Sequence, residues 1–135
     1  MTVGEIQASK VNADGIGNTW YDQIALSVVN GVGNIHLGAY EDSSGPNTLL
    51  VDSGSIASPA SSSYTYQAVT EYQITTVRVW LAFNASNGAF TQRTANNSIA
   101  GFRKGHTQSY AALDNPFGTV AYTDAYPVVM KTKHS

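Results

Sequence analysis

Three histidines, nine carboxylates and an abundance of serine hydroxyls are the groups in this 135-residue chain that could do acid–base or nucleophilic chemistry. Cysteine is absent, so thiol nucleophiles, Cys-ligated zinc and disulfides are excluded. The histidines are His36, His106 and His134. None stands in a His-x-His or His-x-x-x-His spacing that would aim two imidazoles at one metal. His36 is in phase with Tyr40 and across the strand from Leu37, so a surface position is expected for it. His106 follows Gly105 in an expected turn and should be solvated. His134 lies next to last, behind Lys131 and Lys133, where chain ends fray. No Gly-x-Ser-x-Gly elbow accompanies the serines. Gly31-Val32-Gly33 lacks the downstream glycine and the helix that make a phosphate loop. No catalytic residue is assigned, and the chain is expected not to be an enzyme.

The carboxylates offer one cluster. Glu41 and Asp42 are adjacent at a strand end, so their side chains point apart. Asp52 is placed to approach them across the following hairpin. Glycosidases need two carboxyl groups about 5–9 Å apart, but an acidic turn more simply holds loop backbone or a structural calcium ion. Glu41, Asp42 and Asp52 are therefore the candidate calcium ligands, and no other cofactor is expected.

Aromatic side chains are the remaining candidates. An exposed Trp or Tyr backed by Asn, Gln or Asp stacks on a sugar face while its neighbours hydrogen-bond the hydroxyls. Trp20-Tyr21-Asp22-Gln23, Tyr64, Tyr66 and Tyr72 have that composition. Trp80 is out of phase with Val79 and Leu81, which directs it outward or towards a second layer. The same residue types build wet protein contacts. Trp20, Tyr21, Tyr64, Tyr66 and Trp80 are thus the candidate contacts, for glycan or for another subunit.

These residues must be positioned by strands. Charged residues make up only 12% of the chain, with Ser, Thr, Asn and Gly supplying polarity, a mix that disfavours helical bundles. Ile24, Leu26 and Val28 alternate with polar or small residues, as do Ile35, Leu37 and Ala39, then Tyr64, Tyr66 and Ala68, then Val77, Val79, Leu81 and Phe83. Alternation with a period of two marks strands with one face on a core. Further strands are expected at 4–10, 49–57, 89–94, 97–103, 107–113 and 119–131. Asn12 to Gly15, Asn30 to Gly33, Ser43 to Asn47 and Asn84 to Gly88 carry turn chemistry between them. Ser58 to Ser63 is expected to be a long loop across one end of a sandwich. The expectation is one all-β domain over 1–135, an antiparallel β-sandwich of jelly-roll type.

Residues Ile35-His36-Leu37-Gly38-Ala39-Tyr40-Glu41-Asp42, the turn to Asn47, and Leu49-Leu50-Val51-Asp52-Ser53-Gly54-Ser55 resemble a pattern in non-catalytic jelly-roll sandwiches of the carbohydrate-binding-module type. Trp80-Leu81-Ala82 matches a later strand of that family, and Asp114-Asn115-Pro116-Phe117-Gly118 matches its closing stretch loosely. In that family a Gly-Thr-Tyr turn precedes the Trp-Leu-Ala strand, whereas here Ile74-Thr75-Thr76-Val77-Arg78 does. The family's sugar contacts vary by member, so the resemblance implies the fold and no binding residue. Such domains occur on bacterial and phage surface proteins and beside secreted glycosidases.

Net charge is −2, so attraction to nucleic acid is not expected. No apolar run approaches the ~18 residues that span a bilayer, so membrane insertion is not expected. Residues 1–71 sum to −6 and residues 72–135 to +4. If the halves interleave in one fold this asymmetry averages out; if they form poles, identical subunits could meet head to tail as a homo-oligomer. The N-terminus shows no secretion signal. Together these features lead to the expectation of a structural or decorating protein of a virion surface, with other subunits or host glycans as partners. The alternative is a carbohydrate-binding module of a secreted or cell-surface enzyme, with extracellular localisation and adhesion as its role.

Overall fold

The structure, a computed structural model, describes residues 5–12, 19–59, 62–75, 78–94, 103–126 and 128–134. Among these the strands are, in chain order, β1 (Glu5–Asn12), β2 (Thr19–Asn30), β3 (Asn34–Asp42), β4 (Pro46–Asp52), β5 (Ile56–Ala57), β6 (Ser62–Ile74), β7 (Arg78–Ala85), β8 (Thr91–Gln92), β9 (Arg103–Thr107), β10 (Tyr122–Asp124) and β11 (Met130–Lys133). All pairings are antiparallel. A seven-stranded sheet runs β10-β9-β1-β7-β3-β4 with β5 on β3, and a four-stranded sheet runs β11-β2-β6 with β8 on β2. The chain is therefore an all-β antiparallel sandwich, compatible with a jelly roll. The N-terminal and C-terminal halves interleave, since β1 lies between β9 and β7. Their opposite net charges are thereby mixed within one sheet.

One set of alternating residues fills the space between the sheets. Ile24, Leu26 and Val28 from β2 meet Ile35, Leu37 and Ala39 from β3 and Val79, Leu81 and Phe83 from β7, with Phe90, Val128 and Met130 closing the ends. Each such side chain removed from water contributes about 1.5–3 kcal/mol before entropy is counted. This layer is what the period-two alternation anticipates.

The opposite face of the large sheet is buried too. Ile6, Ala8, Tyr40, Trp80 and Ala82 form a second apolar cluster, capped by Leu113 and Phe117. The cap comes from residues 108–121, a strap that crosses the sheet without joining it. Strands were expected over 107–113 and 119–131; instead residues 108–121 are irregular, and only the short β10 and β11 form beyond them. Pro116 lacks a ladder donor, and Gly118 takes a φ of 95°, so this stretch cannot continue as a strand. Its backbone is satisfied by other partners. The Leu113 amide donates to Asp52 Oδ2 at 2.7 Å, the Asp114 amide to Gln108 Oε1 at 2.9 Å, and the Phe117 amide to the Asn47 carbonyl at 2.9 Å. Asn115 Oδ1 accepts the Leu49 amide at 3.1 Å, so the strap also covers the free edge of β4.

Turn chemistry holds where it can be seen. The β3–β4 hairpin passes through Ser44 at φ 56° and Gly45 at φ 128°, and Asp42 Oδ1 accepts the Gly45 amide at 3.2 Å. The expected turn at Asn12 to Gly15 and the strand at 97–103 fall largely outside the described residues. The loop before β6 is described only to Pro59.

β10 pairs with β9 at the edge of the large sheet, and an ion pair between the same two strands adds to the ladder. Arg103 donates through Nη2 to Asp124 Oδ2 at 2.7 Å and through Nε to both carboxylate oxygens, at 3.0 and 3.1 Å. Partial burial opposes the charged form of Asp124. The Arg103 hydrogen bonds, the Tyr126 amide and the Arg103 charge outweigh that, and hold the carboxyl below its ordinary range. A depressed carboxyl contributes stability that is present above its unfolded range and lost as pH falls through the folded value. Acid unfolding followed by circular dichroism should therefore show Asp124→Asn less stable than the parent at neutral pH, with the difference shrinking in acid. A constant difference at every pH would show that the carboxylate's charge is not what holds β10.

Candidate functional site

The five aromatic candidates divide by sheet face. Tyr21 is 2% exposed, opposite Tyr72 across β2 and β6, with the ring centroids 6.0 Å apart. The Tyr72 hydroxyl hydrogen-bonds Thr132, and burial pushes its phenol well above the usual range. Trp80 is 1% exposed, donates its indole N–H to Asp42 Oδ1 at 2.8 Å, and lies 5.5 Å from Lys10 Nζ. Neither Tyr21 nor Trp80 offers a free ring face to a ligand, so both leave the candidate set. Trp80 belongs to the second layer under the strap. The side chain of Tyr64 lies outside the described residues.

Trp20 and Tyr66 remain. Both stand on the outer face of the four-stranded sheet, the face turned away from the large sheet. Trp20 is 47% exposed and opposite Gln73. Tyr66 is half-buried and opposite Ala25, with Lys133 Nζ 4.0 Å from its ring centre. Ala25 is fully buried, and its small side chain lets the Tyr66 ring and the Lys133 stem lie across the central strand. The Lys133 contact was not legible in sequence, because β11 reaches Tyr66 only through the β11-β2-β6 order. Just beyond the end of β11, His134 Nε2 lies 3.2 Å from Glu71 Oε2.

The three acidic candidates are not brought together. Asp42 is opposite Pro46 and Asp52 opposite Gly38, four residues apart on β3, roughly 13 Å along the strand. Asp42 accepts the Trp80 indole and the Gly45 amide. Asp52 accepts His36 Nδ1 at 2.8 Å, the Gly54 amide at 2.8 Å and the Leu113 amide. These carboxylates hold backbone and neighbouring rings, the loop-structuring role weighed from sequence. Among the described residues no group of three or more His, Asp or Glu side chains is arranged to hold a metal ion.

The histidines also differ from expectation. His36 is 7% exposed, held by Asp52 with the Tyr110 ring 5.1 Å away. His106 is 9% exposed on β9, hydrogen-bonded to the carbonyls of Thr107 and Phe117. Both were expected at the surface. Both are buried for one reason: the strap covers the sheet face to which they point. The sequence does carry a signal of this, since Val79-Trp80-Leu81-Ala82-Phe83 is apolar in both phases, as in a strand buried on two faces.

A comparison with protein-family profiles, curated proteins and solved structures finds no match to the chain. The likeness of residues 35–55 to carbohydrate-binding modules thus stands on those residues alone.

Proposed function

We propose that the chain is a non-catalytic contact domain of a surface assembly such as a virion, and that it engages host glycan through the outer face of the four-stranded sheet. The observation that carries this reading is the exposure of Trp20 on that face. The opposite face of the sandwich is sealed by the strap, and the space between the sheets is filled. Trp20 offers an indole beside Gln73 on a sheet face otherwise lined by Tyr66, Lys131 and Lys133. Indole and sugar pair through the apolar C–H face of the ring. The low charge and the likeness of residues 35–55 to sugar-binding sandwiches agree with it.

The test is a glycan-array screen of the protein and of Trp20→Ala, each with calcium and with chelator. Binding of the parent to one glycan class, reduced at least tenfold by Trp20→Ala, is the expected result. Truncating a platform that supplies a few kcal/mol has an effect of that size. Full affinity in Trp20→Ala would remove Trp20 from the site. A blank for the parent would leave subunit contact as the use of this face.

A further inference from the structure

The outer face of the four-stranded sheet carries a row of cations along one flank of its central strand. Lys133 is opposite Gln23 and Lys131 opposite Ala25. Arg93 continues the row beside Ser27: its amide donates to the Ser27 carbonyl at 3.0 Å, and its own carbonyl accepts the Val129 amide at 2.9 Å. Gln23, Ala25 and Ser27 stand in the outward phase of β2, because Ile24, Leu26 and Val28 fill the space between the sheets. Successive cations are therefore two strand residues apart, roughly 7 Å. Ser27 and Ala25 are buried although they face outward; Arg93 Nε reaches over the first, donating to its Oγ at 3.1 Å, and Tyr66 flanks the second. Lys133 Nζ sits 4.0 Å from the Tyr66 ring centre. All three cations are exposed. The strands of this sheet hold two carboxylates, Asp22 and Glu71, and neither lies in the row. Among the described residues no carboxylate pairs with Arg93 or Lys133.

We propose, resting on the glycan reading of this face, that the row takes an acidic glycan: Arg93 clamps the carboxylate of a uronic or sialic acid unit, and Lys131 and Lys133 meet further carboxylates along the chain. The guanidinium selects the anion. Ser27 occupies Nε and orients the guanidinium plane, which leaves the Nη1 and Nη2 hydrogens as a planar fork. A planar carboxylate accepts from both at once, a charge-assisted pair stronger than a neutral one. Backbone bonds on either side of Arg93 seat it on the sheet, so less ordering is left for a ligand to impose. The Tyr66 ring holds Lys133 in the same way, with ammonium hydrogens left over for an acceptor. Three positive charges at regular intervals complement a chain that carries an acid on more than one of its sugars. Trp20 stands towards the other end of the same face, so a chain lying along β2 stacks one sugar there. Asp22 and Glu71 belong to that end, where they disfavour an acidic sugar and direct it to the cationic end.

The test is an array of neutral, carboxylated and sulfated oligosaccharides, followed by calorimetry on the tightest carboxylated member and on its carboxyl-reduced form. Reduction turns each acid into an alcohol and leaves the sugar rings in place. Carboxylated members are expected to bind best, with affinity falling as salt rises. The reduced form should bind roughly tenfold or more weakly, the effect of losing a charged hydrogen-bonded pair. Arg93→Gln should lose a similar factor, and Arg93→Lys, which keeps the charge without the fork, should lose most of it. Circular dichroism checks that both variants fold, and the reduced-glycan comparison needs no variant at all. Full affinity for the reduced form or in Arg93→Gln, or a preference for sulfated members, would overturn the assignment to carboxylates. Binding of neutral sugars alone, abolished by Trp20→Ala, would overturn the acidic class and leave the glycan reading of the face standing. A blank across the whole array would overturn both.

Discussion

Trp80→Ala is expected to cost about 3–5 kcal/mol of folding free energy, the range for removing a buried large aromatic. Native domains hold only about 5–15 kcal/mol in total, so this single change removes a large share and leaves a substantial unfolded population. Three losses add. The indole's apolar contacts with the second cluster go, and its neighbours cannot collapse fully because β1, β3 and the strap hold them apart. Asp42 Oδ1 loses the indole donor and keeps only the Gly45 amide. Lys10 loses the ring beneath its ammonium. Trp80→Phe separates these terms: it keeps most of the packing and loses the hydrogen bond, so roughly 1–2 kcal/mol is expected. Urea unfolding followed by circular dichroism measures both. A loss below about 1 kcal/mol for Trp80→Ala, the level of an average substitution, would mean that the strap and the large sheet do not form a packed layer.

Gly38→Val should be nearly as damaging, for the opposite reason. A Cβ at Gly38 would lie 2.3 Å from Leu113 Cδ1 and 2.5 Å from the Val51 carbonyl oxygen. The leucine methyl can rotate away, but the carbonyl is part of the β3–β4 ladder and cannot move without breaking register. Overpacking of this kind costs typically 1–3 kcal/mol, and the two further methyl groups of valine press on the strap. The expected signature is local as well as global: amide exchange at Leu113 should accelerate more than at Leu81, which lies between the sheets. Gly54→Ala is the control, because nothing lies within 4 Å of its Cβ position; its φ of 77° brings only local backbone strain. Equal acceleration at Leu113 and Leu81 in Gly38→Val would show that the strap has no stability of its own to lose.

Much of the sandwich was legible from residue order. The alternation of Ile24, Leu26 and Val28, of Ile35, Leu37 and Ala39, and of Val79, Leu81 and Phe83 predicts the layer between the sheets. Period two is a local property of an extended chain, and it needs no knowledge of partners. Gly38 faces away from Leu37, and on that side Leu113 and the Val51 carbonyl leave no room for a Cβ. The hairpin at Ser43 to Asn47 followed from turn chemistry that acts within a few residues.

Beyond the doubly apolar run of Val79 to Phe83, sequence order could not decide which outward-phase residues meet water. His36, Tyr40, Trp80 and His106 stand in the outward phase of the large sheet, while Trp20 and Tyr66 occupy the outward phase of the small one. The first group is buried and Trp20 is exposed, because residues 108–121 fold back over one sheet and not the other. That choice is made by contacts between residues far apart in the chain, such as Leu113 with Asp52 and Phe117 with Asn47. Likewise, Asp42 and Asp52 are ten positions apart in sequence, and only the β3–β4 register sends them to different neighbours. Local order determined the inner faces of β2, β3 and β7 and the β3–β4 turn, but not the strap, where strands were expected, nor β6, whose Tyr66 faces outward rather than into the core. Long-range packing alone decided which aromatic side chains are left for a partner to touch, because burial of an outward face depends on what another segment brings to it.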